Sequence, residues 1–314
     1  MKYYSQHTLY NLLIKFGVVG WLMCMTSLCY SQPLIYAHRG GRALWPENTL
    51  YAYDKALGLK VDFVDMDLQM SKDGVLMVTH NEGLNPSITR DHLNNWIGKP
   101  LPIDTLTVAE IQSYNVGRIR PNSLLAKRFS KQKGVAQAKI PTLTEVIQYV
   151  KAHQLKSTGF QIELKTPMKK VGNRDYADTI AQKLVAVIEH EDIAQRVEIQ
   201  SFDFQILKSL HQLDSHLKLA FLTAKDHPCP KWCAGHSVKN SLFLPDLVKE
   251  LQGVLWEPGA SEVTAEQIKR AHSLGLKVVV WGLSSDPSEE RLQAKQLQKL
   301  SIDGLITDDP SLYL

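Results

Sequence analysis

From about residue 143 onward, short apolar runs alternate with longer segments whose apolar residues recur every three or four positions. The runs at 159–164 (GFQIEL), 197–200, 217–222, 253–256, 277–281 and 304–306 have strand character. Amphipathic stretches at 143–153, 175–190, 204–213, 244–251, 264–274 and 289–300 separate them and read as helices. Strands joined through helices rejoin one sheet by crossovers, so they pair in parallel. Three earlier runs, at 34–37, around Asp65 and Asp67, and at 75–78, bring the number of strand-like runs to nine. For a chain of 314 residues this pattern favours an eight-stranded (β/α)8 TIM barrel over an open sheet, with one run left over as a hairpin arm or edge piece.

The segment 82–140 breaks the regularity with polar turns, a short helical pattern near 108–114 and a basic tract at 127–133. It is too long for a simple barrel connection. It reads as an insertion forming a small subdomain over the strand ends, the alternative being a loose surface excursion. A net charge of +4 with scattered Lys and Arg, and no basic run interleaved with aromatics, argues against a nucleic-acid partner.

At the N-terminus, Lys2 and Lys15 precede an apolar stretch at 16–29 (FGVVGWLMCMTSLC), followed by Tyr30-Ser31-Gln32. This is the layout of a cleavable signal peptide covering 1–31, and the core is short of the ~20 residues that span a bilayer. An uncleaved anchor is the alternative. Lipidation at Cys29 is disfavoured by the large Leu28 before it. The expected mature chain, 32–314, is exported to the periplasm or secreted, with no stable membrane insertion after processing. Its two cysteines, Cys229 and Cys233, then sit in an oxidising compartment where a disulfide is the first expectation. A zinc site with His227 and His236, or two thiols, are the other possibilities.

Barrel enzymes carry their chemistry at the C-terminal strand ends. His38, Arg39, Asp65, Asp67, His80, Glu163, Lys165, Gln200 and Trp281 all fall at or just inside such ends. Asp65 and Asp67 share a strand face with Cα atoms roughly 6.6 Å apart. Together with Glu163 they offer oxygen donors suited to Ca²⁺ or Mg²⁺. Arg39 and Lys165 beside such a cation call for an anion, and phosphate fits best. Two histidines with ordinary pKa near 6.5 supply a base and an acid at neutral pH. The resulting expectation is phosphodiester cleavage.

These residues also carry a resemblance. His38-Arg39-Gly40 with Pro46-Glu47-Asn48-Thr49, then Asp62-x-x-Asp65-x-Asp67, Lys72-Asp73-Gly74 and His80, resemble the signature of the glycerophosphodiester phosphodiesterases. Ile140-Pro141-Thr142-Leu143-x-Glu145, Ile162-Glu163-Leu164-Lys165, Gln200-Ser201-Phe202, Val280-Trp281 and Asp303-Gly304-Leu305-Ile306-Thr307-Asp308 follow in the order of that family's later blocks. The resemblance implies a TIM barrel of the PLC-like phosphodiesterase type and hydrolysis of a small glycerophosphodiester to glycerol 3-phosphate and an alcohol. It implies acid/base roles for His38 and His80, and one divalent cation, Ca²⁺ or Mg²⁺, on Asp65, Asp67 and Glu163. Arg39 and Lys165 would hold the phosphate. Glu47 would orient Arg39 or touch the metal, and Trp281 would pack on the glycerol or simply rim the barrel. An insertion after the second histidine resembles that of exported family members.

Two departures stand out. Asp65 replaces the family's usual glutamate and ends roughly 1.5 Å short of it. Asn81 follows His80 where an aspartate is common. A lyase that forms a cyclic phosphate by internal attack is the enzymatic rival. A non-catalytic surface binder is the rival from another class, though a binder needs no proton-transfer pair.

Overall fold

A computed structural model describes residues 32–153 and 158–314. The expected signal peptide, 1–31, lies outside the described residues. Nine strands form one sheet: β1 (Leu34–Ala37), β2 (Phe63–Met70), β3 (Leu76–Val78), β4 (Gly159–Leu164), β5 (Val197–Ser201), β6 (Lys218–Thr223), β7 (Leu255–Pro258), β8 (Lys277–Val280) and β9 (Gly304–Thr307). Eight of them run in parallel, and β1 pairs with both β2 and β9, which closes the barrel. The ninth, β3, is antiparallel to β2 through the pairs Leu68↔Val78 and Met70↔Leu76. The hairpin arm is therefore 75–78, and its turn is the Ser71-Lys72-Asp73-Gly74 segment, where Ser71 N–H donates to Val75 O at 2.9 Å.

Helices α1 (Leu50–Gly58), α2 (Val108–Gln112), α3 (Leu124–Arg128), α4 (Leu143–Ala152), α5 (Arg174–His190), α6 (Phe204–Leu213), α7 (Leu244–Glu250), α8 (Ala265–Ser273) and α9 (Pro287–Gln298) fill the connections. Several start on capping boxes legible in the chain. Thr142 with Glu145 opens α4, and Thr264 with Gln267 opens α8, each side chain answering the other's backbone N–H. The apolar stripe of α5 (Ile180, Ala181, Leu184, Ile188) packs with Phe160, Ile162 and Ile199 from the outward faces of the barrel strands.

The barrel interior is partly polar. Tyr36 donates to Glu198 at 2.9 Å and Gln161 to Glu257 at 2.5 Å, so these polar side chains pair across the barrel, although Gln161 Oε1 and Glu257 Oε2 are left without a hydrogen bond among the described residues. Residues 82–140 wrap a smaller cluster of Met77, Leu84, Ile103, Ile111, Val116 and Ile140, with α2 and α3 inside the segment. Its end returns along the β1 loop, where Lys133 N–H donates to Leu44 O at 2.8 Å and Gln132 to Arg42 O at 2.7 Å. Cys229 and Cys233 are joined as a disulfide, with Cα atoms 5.0 Å apart, in the connection after β6. That bond takes both thiols and leaves no thiolate for the zinc alternative.

Candidate active site

The mouth is built outward from the end of β1. Arg39 adopts the left-handed region at φ 52°, a conformation that costs a non-glycine residue about 1–3 kcal/mol and is held only by surrounding contacts. Those contacts are visible: Asn48 N–H donates to Arg39 O at 2.9 Å, and Arg39 N–H donates to Asp65 Oδ2 at 3.2 Å. Gly40 follows at φ 79°, and a Cβ there would stand 2.8 Å from Ala52 Cβ, so only glycine lets α1 close against the loop. The result aims the buried Arg39 side chain inward. Its Nη1 donates to Glu47 at 3.0 Å, and its Nε lies 3.1 Å from Asp67 Oδ2 as an ion pair rather than an aligned hydrogen bond.

The acids come from neighbouring strands. Register places Asp67 beside Glu163 and Asp65 beside Gln161, all on the inward face. Asp65 Oδ1 accepts from Gln200 at 2.6 Å. Asp67 Oδ2 accepts from Asn48 at 2.9 Å. Lys165 Nζ lies 2.6 Å from Glu163 Oε1 and 3.3 Å from Asp67 Oδ1, so an ammonium group occupies the space between those two carboxylates. Burial, then the charges of Asp67 and Glu163, push Asp65 well above the usual carboxylate range. Burial lifts Glu163 to about 7 despite Lys165. Asp67 goes the other way: burial opposes its charge, but Arg39 and Lys165 outweigh it and hold the carboxyl well below its ordinary value.

The cluster is therefore short of positive charge around Asp65 and Glu163. Its donors are hard oxygens, so the chemistry of the set fits Ca²⁺ or Mg²⁺. Among the described residues, no three His, Cys, Asp or Glu side chains already form a coordination cage. Lys165 and Gln200 are what hold the oxygens in this arrangement. Glu47 and Asp67 stand behind the cavity wall rather than on it.

His38 and His80 face the same cavity, of about 530 Å³, from the ends of β1 and of the β2–β3 hairpin. Burial and the nearby Arg42 draw His38 down to about 4. Burial, Arg39 and Lys165 hold His80 well below 6.5. Both imidazoles are thus neutral at pH 7 before a substrate anion arrives. Across the cavity, Phe202, His227, Trp232 and Trp281 form an aromatic wall, with Phe202 stacked on His227 at 4.1 Å and edge-on to Trp281 at 5.4 Å. Trp281 is fixed by its Nε1–H, which donates to Glu257 O at 3.0 Å.

The residues expected from the sequence are brought together: His38, Arg39, Asp65, His80, Glu163, Lys165 and Trp281 share one cavity, with Glu47 and Asp67 immediately behind it. Sequence reasoning gave no role to Asn48, Gln200, Arg42 or Asp308. Asn48, Gln200 and Asp308 lie inside the recognised blocks, so a signal existed, but only pairing in space shows what each one touches. Trp232, inside the loop closed by the disulfide, and His227, two residues before Cys229, had no signal of this kind.

Residues 38–312 match the model of the Glycerophosphoryl diester phosphodiesterase family. The chain belongs to this family. It is 33% identical over 281 residues to a glycerophosphodiester phosphodiesterase of Bacillus subtilis (strain 168), covering 89% of this chain and 85% of that protein. A glycerophosphodiester phosphodiesterase of Bacillus altitudinis is 27% identical, covering 88% of this chain and 94% of that protein. A crystal structure from Silicibacter pomeroyi DSS-3, described as a candidate glycerophosphoryl diester phosphodiesterase, superposes with a TM-score of 0.82 at 26% identity, covering 90% of this chain and 92% of that one. Membership makes the chain an enzyme, a glycerophosphodiester phosphodiesterase, on the family's parallel eight-stranded barrel. Among the described residues, no helix is long and apolar enough to cross a membrane.

Proposed function

We propose that this phosphodiesterase hydrolyses small glycerophosphodiesters to glycerol 3-phosphate and an alcohol by histidine acid/base catalysis assisted by one divalent cation. The observation that carries the reading is the convergence of two imidazoles, an arginine and a lysine on one cavity of about 530 Å³, beside three buried carboxylates that these two cations only partly offset. Arg39 and Lys165 grip the non-bridging phosphate oxygens. One histidine takes the proton of the attacking oxygen and the other gives a proton to the leaving alkoxide. Burial, Arg39 and Lys165 together hold His80 neutral, and the negative charge of the bound diester offsets the two cations, so substrate shifts His80 toward its acid form. Asp65, Asp67 and Glu163 would hold Ca²⁺ or Mg²⁺, which supplies charge stabilisation at the phosphoryl oxygens when bound. The glycerol and the aromatic wall with Trp281 present matching apolar faces. Glu47 orients Arg39 through its hydrogen bond.

Export is part of the same reading. The leader-like stretch at 1–31 and the bond between Cys229 and Cys233 both support an oxidising location. The test is release of glycerol 3-phosphate from glycerophosphocholine by the mature chain. The expected result is activity abolished by a chelator and restored by Ca²⁺ or Mg²⁺. Full activity in chelator would remove the cation from the proposal, and cyclic phosphate seen by phosphorus NMR would replace hydrolysis with lyase chemistry.

A further inference from the structure

His38 has a partner that the acid/base scheme does not use. Its Nδ1 lies 2.5 Å from Asp308 Oδ1. Arg42 Nε donates to the same oxygen at 2.7 Å, and Arg128, from the insertion, stands 3.9 Å from Oδ2. Ala43 N–H donates to Asp308 O at 3.0 Å, so the backbone of this residue is tied to the β1 loop as well. The placement follows from barrel closure. Ala37 pairs with Thr307 in the β1–β9 ladder, so the next residue on each strand, His38 and Asp308, emerges side by side at the mouth.

The protonation states fix what this contact means. Burial opposes the charge on Asp308, but Arg42 and His38 outweigh it and keep the carboxyl ionised throughout the neutral range. An ionised carboxylate only accepts hydrogen bonds. A neutral imidazole 2.5 Å from it must therefore carry its proton on Nδ1, which leaves the lone pair on Nε2. His38 lines the cavity, so Nε2 is the ring nitrogen left to meet substrate. His80 differs: its Nδ1 is 3.4 Å from Asn81 Oδ1, a neutral amide oxygen.

We propose that Asp308 is a positioning residue that locks His38 in the Nδ1–H tautomer, presenting Nε2 as the proton acceptor, while Arg42 pins the carboxylate in place. The inference rests on the diesterase reading and gives His38 the base role in it. Once Nε2 takes a proton, the imidazolium is paired with Asp308, so the carboxylate stabilises the charge that develops during reaction. An orienting acid of this kind acts on turnover rather than on substrate affinity.

The tautomer is read without substrate, by ¹⁵N NMR of the histidine ring nitrogens at pH 7, with the His38 signals assigned by their loss in His38→Gln. The expected result is a protonated Nδ1 and an unprotonated Nε2 at His38 in the wild type. In Asp308→Ala that preference disappears, and kcat on glycerophosphocholine falls by about 10²–10⁴ while KM changes less than about threefold. A wild-type His38 protonated on Nε2 overturns the proposal, as does Asp308→Ala with near-wild-type kcat or with its loss confined to KM. If Asp308→Ala does not fold, the wild-type spectrum and Asp308→Asn, which keeps the shape and removes the charge, decide in the same way. A wild type that releases no glycerol 3-phosphate but shows the expected tautomer would sink the diesterase reading while leaving the His38–Asp308 pairing intact.

Discussion

At the scale of single residues, the site is a problem of charge. Asp65, Asp67 and Glu163 are all nearly buried, and Arg39 and Lys165 are the neighbouring side chains that offset them. Buried charges of one sign are costly unless paired, so such a cluster persists for a purpose other than stability. If the two imidazoles move the protons, His38→Ala and His80→Ala each lower kcat by about 10²–10⁴ with folding intact by circular dichroism. Near-wild-type turnover in either variant would remove that histidine from the mechanism. Asp65 tests the metal side. Its oxygens are occupied by Gln200 and by Arg39 N–H, and a glutamate there reaches ~1.5 Å farther toward the mouth. Asp65→Glu is expected to bind Ca²⁺ or Mg²⁺ at least as tightly by calorimetry, with turnover within about tenfold, a barrier change of ~1.4 kcal/mol. A larger loss of both would mean that the neighbouring residues are built around the shorter acid.

At the scale of elements, the two ends of the barrel do different work. The C-terminal ends hold the candidate site, and the opposite end holds packing. Gly159 opens β4 at that opposite end. A Cβ there would stand 2.3 Å from the Phe63 ring, which itself stacks on Tyr36 at 4.4 Å. Gly159→Ala must therefore displace an aromatic pair, and the expected cost is about 1–3 kcal/mol in denaturant unfolding. Activity per folded molecule should not change. A variant as stable as the wild type would show that the ring relaxes without cost. The helices are less sensitive, because their starts are specified locally by caps such as Thr142 with Glu145.

At the scale of the whole molecule, closure of the barrel joins the first and last strands, β1 and β9, and leaves a titrating group at the seam. Glu290 on α9 accepts hydrogen bonds from Thr307 and Tyr313, and burial lifts its carboxyl to about 7. The folded state therefore keeps a proton that the unfolded chain releases near its ordinary carboxyl value. Between about pH 4.5 and 7 this term makes stability fall as pH rises. Glu290→Gln removes the term, so its stability relative to wild type should improve across that window by about 1–2 kcal/mol, with allowance for screening. Urea unfolding at both pH values reads this, and identical pH slopes in the two proteins would show that Glu290 does not titrate there.

The sequence by itself determined the fold class and the inventory of reactive groups. Both are local properties: a crossover helix after each strand, and acids, bases and glycines at strand ends such as His38-Arg39-Gly40 and Asp65-Met66-Asp67. Some helix and strand limits were legible for the same reason, with Phe204–Leu213 and Gly159–Leu164 matching to the residue, whereas the strand expected at 253–256 is Leu255–Pro258 and the helix expected at 289–300 is Pro287–Gln298. Contacts between distant residues were not legible. That 75–78 is the hairpin arm, that Lys165 lies between Glu163 and Asp67, and that Gln200 takes Asp65 all depend on sheet register. His38 and Asp308 are 270 residues apart, and only the β1–β9 pairing that closes the barrel brings an imidazole and a carboxylate within hydrogen-bonding distance.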